Sequence, residues 1–361
     1  MPVPLFDPHT PLAGLRPELD AAIGRVLDRG VFVLGPEVEA FEQEFAAYLG
    51  CGHAVGVANG TEAISVALRA LGVGPGDDVV VPSITFWASA EAIVNVGARP
   101  VFCDIDPRTY VATADDVRAA LTPATKAVVL VHLFGNVAPV AEVEALGVPV
   151  VEDTAQAAGS RGPDGRPGAL GTIATFSFYP SKNLGAFGDG GAVTTSDAAL
   201  AEEVRVLRFH GSRDKVDYER VGFNSRLDEV QAAVLRVLLG RLDDWAAHRA
   251  QAGRWYDEEG LGAHGALPQP TAGAEPAWHL FMVRLADADR MAARLAQQGI
   301  GCRPYYRTPI HRQAPMREYA HGVDLPATDE VARTHLAIPM SAAITREQVR
   351  EVVDAFAPEA G

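Results

Sequence analysis

Cysteine is scarce in this sequence of 361 residues. Cys51, Cys103 and Cys302 are odd in number and far apart, so neither a disulfide framework nor a clustered zinc site is indicated, and a reducing cytoplasm fits. No apolar run approaches the ~18 residues of a membrane-spanning helix, and Met1–Asp7 lacks the basic start and apolar stretch of a secretion signal. A soluble cytoplasmic protein with no membrane partner is expected. Positive charge is also in deficit: 31 Lys and Arg face 46 Asp and Glu, a formal net charge of −15. That field repels phosphate backbones, which argues against nucleic-acid partners and leaves room only for a local basic pocket. No G-x-G-x-x-G stands between a strand and a helix. Gly72-Val-Gly-Pro-Gly76 contains a proline and precedes a strand, so a dinucleotide-binding oxidoreductase is rejected.

Apolar residues make up 48% and charged residues 21%, the usage of a folded globular chain rather than a disordered or collagenous one. At roughly 100–200 residues per domain, the length allows two domains. From about residue 50 to 200, short β-branched runs alternate with helix-period segments, the pattern of a mainly parallel α/β sheet. Strands are predicted at 78–81, 100–103, 127–132, 148–152, 173–178 and 192–195. One helix is marked by Ile64, Ala67, Leu68 and Leu71 on a single face, by Asn59 and Glu62 at capping-box spacing, and by the stop Gly72. A longer helix is predicted to begin near Arg226, and another to run to about residue 259. The Gly-, Ala- and Pro-rich stretch 262–276 marks a boundary, so a large unit over 1–262 and a smaller α/β unit over 263–361 are expected. The smaller unit should contain a strand at 278–284, a helix at 287–297, a Pro-rich loop at 303–315 and terminal helices at 329–336 and 345–356.

The chemistry lies in two stretches. In Val150-Val-Glu-Asp-Thr-Ala-Gln-Ala-Ala158 an acidic residue leaves the end of a buried strand. In Ala174-Thr-Phe-Ser-Phe-Tyr-Pro-Ser-Lys-Asn-Leu-Gly-Ala-Phe-Gly-Asp-Gly-Gly191 a lysine sits in a loop flanked by hydroxyls and glycines. Pyridoxal 5′-phosphate needs that combination: an amine for its aldehyde, a carboxylate for its ring nitrogen, and hydroxyls and free N–H groups for its phosphate.

These stretches, with Asn59-Gly-Thr-Glu-Ala63, Pro82-Ser-Ile-Thr-Phe-Trp-Ala-Ser89, Gly188-Asp-Gly-Gly191 and Gly222-Phe-Asn-Ser-Arg-Leu-Asp-Glu-Val-Gln-Ala-Ala233, resemble the DegT/DnrJ/EryC1/StrS family of pyridoxal-phosphate-dependent sugar aminotransferases, of aminotransferase fold type I. The resemblance covers nearly the whole chain. It implies a large, mainly parallel sheet domain of the seven-stranded type with a smaller C-terminal α/β domain. It also implies a nucleotide-sugar substrate, an amino-acid donor (glutamate first) and a homodimer with shared active sites.

By the resemblance, Lys182 is the Schiff-base lysine and proton shuttle, where alone it would read as a surface loop lysine. Asp153 is the counterion of the ring nitrogen, a role the motif favours over the alternative of capping a helix starting at Thr154. Gln156 would lie near the ring oxygen or the substrate. Gly60 and Thr61, at a helix start, and Ser177 would hold the phosphate. Trp87 would stack on the ring, although buried Trp is more often core. Asn224 would reach the partner's cofactor phosphate, or else cap the long helix. Lys215, Tyr218 and Arg226 are candidates for the substrate diphosphate, and Tyr306 and His311 for contacts with the sugar. A pyridoxamine-dependent dehydratase would carry histidine at position 182, and a catalytically silent sensor would append a basic DNA-binding segment; neither feature is present.

Overall fold

A computed structural model describes residues 2–357. The larger sheet has seven strands: β1 His53–Val57, β2 Asp78–Pro82, β3 Arg99–Cys103, β4 Thr125–Val131, β5 Val150–Asp153, β6 Ile173–Ser177 and β7 Gly191–Thr195. Their order is β1-β7-β6-β5-β4-β2-β3. Strands β2 to β6 pair in parallel, while β7 is antiparallel to both of its neighbours. Val79, Val80 and Val81, or Val128 to Val131, read as unbroken apolar runs because helices cover both faces of a parallel sheet, and all of these side chains are buried.

This topology assembles the site. Since β7 alone runs against the rest, its first residue lies at the same edge as the last residues of its neighbours. Gly191 is thus in register with both Val57 and Ser177. The turn after β1 and the end of β6 are brought side by side, and β5 ends at that edge next to β6, three strands from β1. Ligands of α/β sheets bind beyond the carboxyl ends of the strands.

The helix Gly60–Ala70 follows β1. Asn59 Oδ1 accepts from the Glu62 N–H at 2.9 Å, and Ile64, Ala67 and Leu68 are buried. The expected capping box is half-formed: no bond returns from the Glu62 side chain, whose Oε2 is buried without a partner. The second sheet pairs β8 Phe281–Arg284 with β9 His335–Ile338, antiparallel. Its core includes Phe281, Leu295, Ile338 and Val349, but also Val3, Ala252, Tyr256 and Leu261. The helix Leu242–Glu258 therefore packs partly into the smaller core.

Several predicted elements shift. The strand β1 was not predicted. The long helix runs over Glu229–Leu239 rather than from Arg226, because Asp228 is held extended by a bridge to Val33. The Glu229 carboxylate then takes the N–H groups of Gly35, Glu37 and Val38 at 2.9, 3.0 and 2.9 Å, joining two helix starts. The helix predicted over 329–336 spans Pro326–Thr334. His335 and Leu336 are strand, drawn out of the helix by pairing with β8.

Candidate active site

Two carboxylates end β5, and strand periodicity sends them to opposite faces. Glu152 is fully buried and accepts from the N–H groups of Gly168, Leu170 and Gly171 at 2.9, 2.9 and 2.7 Å. It also faces His132 Nε2 at 2.8 Å, and His132 Nδ1 accepts from the Ala138 N–H, so Nε2 carries the hydrogen. Glu152 is thus consumed by scaffolding. Asp153 is also buried, but accepts only from Ser89 Oγ at 2.7 Å and the Ala155 N–H at 3.2 Å. No Lys, Arg or His forms an ion pair with it among the described residues. Thr85 Oγ1 lies 3.0 Å from Ser89 Oγ and extends the chain of hydroxyls. No helix starts at Thr154, so the capping alternative for Asp153 falls away.

Lys182 lies in the loop after β6. Its N–H donates to the Tyr179 carbonyl at 2.8 Å, and Ala186 N–H to the Phe178 carbonyl at 2.7 Å. Gly185 is needed here, since a Cβ would stand 2.6 Å from the Pro180 carbonyl oxygen. Desolvation pulls the Lys182 amine down to about 8, with the charge of Asp153 opposing the fall. The two groups share one low-dielectric space.

A second cluster surrounds the turn after β1. A Cβ on Gly60 would lie 2.7 Å from Ser177 Cβ, so the first turn of the helix rests directly on the end of β6. The Gly60 and Thr61 N–H groups find no acceptor among the described residues, as befits the positive end of a helix. Together with the half-buried Ser177 hydroxyl they could cradle an anion.

Gln156 is buried with both ends of its amide engaged. Oε1 accepts from the Phe134 N–H at 2.7 Å, and Nε2 donates to the Tyr306 hydroxyl at 3.1 Å. Burial raises the pKa of that phenol, and Asp153 adds to the effect through its charge. The structure thus brings Tyr306 from the Pro-rich loop to the Asp153 side of the site. Trp87 is half-buried just before the helix Ala88–Asn95, in the loop that also carries Thr85 and Ser89.

Other expected residues stand elsewhere. His311 is buried, with Nδ1 2.6 Å from Ser83 Oγ, which ties the loop to the end of β2, while Nε2 lies 3.9 Å from Asp329 without a hydrogen bond. Lys215 lies with its ammonium 4.7 Å over the Phe209 ring, and the exposed Tyr218 donates to the Lys215 carbonyl at 3.5 Å. Neither contacts the residues around Asp153 and Lys182. Arg226 is half-buried in the extended stretch before the long helix. Asn224 is exposed and is no cap, since the helix begins five residues later, at Glu229. It is anchored beside its own cradle, because the neighbouring Ser225 Oγ accepts from the Ala58 N–H at 3.1 Å.

Three residues had no assigned role in the sequence reading. Ser89 and Thr85 were visible as hydroxyls within Pro82–Ser89, but nothing local tells that they meet Asp153. Asn183 is buried and donates from Nδ2 to the carbonyls of Ala158 and Ala277 at 3.2 and 3.1 Å, pinning the lysine loop.

Residues 15–357 match the model of the DegT/DnrJ/EryC1/StrS aminotransferase family. The chain belongs to that family. It is a pyridoxal-phosphate-dependent aminotransferase. Across 98% of this chain and 95% of the relative, it is 45% identical to a dTDP-3-amino-3,4,6-trideoxy-alpha-D-glucose transaminase of Streptomyces venezuelae. It is 41% identical, over 97% of this chain and 96% of the relative, to a UDP-N-acetyl-3-dehydro-alpha-D-glucosamine 3-aminotransferase of Acidithiobacillus ferrooxidans. Among solved structures, S. venezuelae DesV in complex with a ketimine intermediate superposes with a TM-score of 0.95 at 44% identity, covering 98% of this chain and 97% of that one. No helix among the described residues is long and apolar enough to cross a membrane.

Proposed function

We propose that this aminotransferase moves an amino group from an amino acid, glutamate first, to the C3 keto group of a nucleotide-linked deoxysugar, with two chains completing each site. The observation that carries the reading is the desolvated Lys182 amine within electrostatic reach of the buried Asp153 carboxylate, at the edge that also holds the Gly60–Ser177 cradle. Both curated relatives described above are named for an amine at C3, which favours that position.

The residues fit pyridoxal phosphate. When bound, the cofactor supplies an aldehyde for the donor's nitrogen and a ring that takes up the electron pair released at carbon. The Gly60 and Thr61 N–H groups and the Ser177 hydroxyl would hold its phosphate, where any side chain at position 60 would intrude. Asp153 would keep a proton on the ring nitrogen, with Ser89 fixing the carboxylate. Lys182 would take the proton from the donor carbon and return it to the carrier. At pH 7.5 about a quarter of amines with a pKa near 8 are free base, against about one in a thousand for a solvated lysine. Trp87 would cover the ring, and Gln156 and Tyr306 would border it. Asn224, exposed and unbonded, is free to serve the partner's phosphate, while Arg226, Lys215 and Tyr218 would meet the substrate diphosphate only from loops outside the cluster. The division into a large unit over 1–262 and a smaller one over 263–361 belongs to this reading, with the helix Leu242–Glu258 shared between their cores.

The test is turnover on a panel of dTDP- and UDP-linked 3-keto and 4-keto deoxysugars with glutamate, the products identified by mass and by position of the amine. Activity on 3-keto sugars is expected. Activity confined to 4-keto sugars overturns the assignment of C3, and none on any sugar overturns the function.

A further inference from the structure

Arg208 and Arg249 are buried to the same degree, each 8% exposed, and differ in what faces them. Arg208 donates to the Glu42 carboxylate and to the Gly56 carbonyl. Arg249, on the helix Leu242–Glu258, makes a single side-chain bond among the described residues, a 3.2 Å donation from Nη1 to the Trp278 carbonyl. No carboxylate pairs with it among the described residues. A buried charge without a counterion is costly, and proteins seldom carry one unless something else supplies the partner.

Arg249 lines a cavity of about 600 Å³, and Lys182 lines the same cavity. That size falls within the roughly 300–1,000 Å³ of small-molecule sites. The remaining wall is largely apolar, with Phe6, Leu238, Trp245 and Met340 among its residues, and its single acidic member is Asp7. Asp7 is already engaged: its Oδ1 accepts from the His9 and Thr10 N–H groups, each at 3.0 Å. His279, next in the chain to Trp278, is buried, stacks on Phe6 and has an unbonded Nδ1. Burial first, then the charges of Lys182 and Arg249, hold its imidazole far below its ordinary pKa. The two cations thus share a cavity whose lining residues offer no free anion, and Asp153, which acts on Lys182, is not among them.

The geometry points to Arg249 as the site for a carboxylate of the amino donor, with the apolar cavity holding the donor's carbon chain beside Lys182. This rests on the transamination reading above, and deepens it by naming what recognises the donor. An amino acid presents an amine and a carboxylate on one carbon, and a half-reaction at Lys182 needs the second group held. A guanidinium suits it because its planar fork matches a carboxylate with two parallel N–H donors. The substrate diphosphate is the competing anion, and the two half-reactions tell them apart.

The test uses the full-length holoenzyme. The donor half-reaction is followed as bleaching of visible absorbance by glutamate alone, and the sugar half-reaction in reverse, with the amino-sugar product alone. In Arg249→Gln the glutamate concentration for half-maximal bleaching is expected to rise roughly 10- to 100-fold, the loss of a charge-assisted hydrogen bond, with the sugar half-reaction unchanged. Ala342→Phe, which fills the cavity without touching the charge, should show the same one-sided loss and covers the case in which Arg249→Gln fails to fold. In the native enzyme, glutarate, which has carboxylates but no amine, should compete with glutamate. A loss confined to the sugar half-reaction, an equal loss in both, or no competition by glutarate overturns the proposal. Failure of the functional reading would appear instead in the native enzyme, as no bleaching by glutamate at all, and overturns both.

Discussion

Ser89 donates a 2.7 Å hydrogen bond to Asp153 across a separation of 64 residues. The hydroxyl stands in the first turn of the helix Ala88–Asn95, and the carboxylate at the end of β5. Their meeting fixes the direction of a buried anion that has no ion pair among the described residues. In Ser89→Ala one donor to a charged acceptor is lost, a change of about 1.5–3 kcal/mol, so turnover is expected to fall roughly 10- to 100-fold. Asp153→Asn should fall further while still holding cofactor, because an amide cannot keep a ring nitrogen protonated. Steady-state turnover and cofactor absorbance check both; wild-type rates in Asp153→Asn would remove it from the chemistry.

Lys182 should be the residue that carries the cofactor. Borohydride reduction of the yellow enzyme followed by peptide mass spectrometry is expected to find the added mass on Lys182. Labelling of a different lysine would end the assignment.

The depressed pKa of Lys182 also sets a pH dependence for cofactor-free protein. Between about 8 and 10.5 the unfolded chain holds a proton on this amine that the folded chain does not, so stability from this residue rises with pH across that window. Below 8 the full cost of burying the charge remains. Lys182→Met removes that cost and should be more stable than the cofactor-free parent below pH 8, with the gap closing as pH approaches 10.5. Urea denaturation at several pH values measures it, and a gap independent of pH contradicts the desolvation.

Gly60→Ala places a Cβ 2.7 Å from Ser177 Cβ, closer than real side chains come. The helix start must shift from β6, with an expected loss of about 1–3 kcal/mol in stability and weaker cofactor binding. Ser177→Gly in the same chain should restore part of the stability but not the affinity, since the phosphate loses a hydroxyl. Thermal melts and cofactor titration separate the two effects.

Mixing inactive Lys182→Ala with impaired Asn224→Ala chains tests the shared site. If Asn224 serves the partner, one site of each mixed dimer carries both lesions and the other is intact, so activity returns on subunit exchange. Verified mixed dimers that stay inactive would place Asn224 in its own chain's site.

The sequence alone determined the elements whose signals are local. Valine runs marked the parallel strands, because both faces of such a sheet are buried. Asn59, the apolar face of Ile64 and Leu68, and the stop near Gly72 marked the helix Gly60–Ala70. Lys182 and Asp153 stood out as candidates only because their two stretches together carry the groups that pyridoxal phosphate needs and match the family's motifs. The helix Pro36–Leu49 carries the same kind of local punctuation, with proline at its start and the left-handed Gly50 at its end. What only the tertiary structure decided are relationships between distant segments. The antiparallel β7 sets Gly191 opposite Val57 and Ser177, pairing with Val33 delays the long helix to Glu229, and β8 pulls His335 out of a helix. Strand alternation sends Glu152 into a set of scaffold hydrogen bonds and leaves Asp153 with few partners at the candidate site. The unpaired state of Arg249 belongs to the same class: whether a buried charge has a partner depends on every segment packed around it, and no window of sequence contains them all.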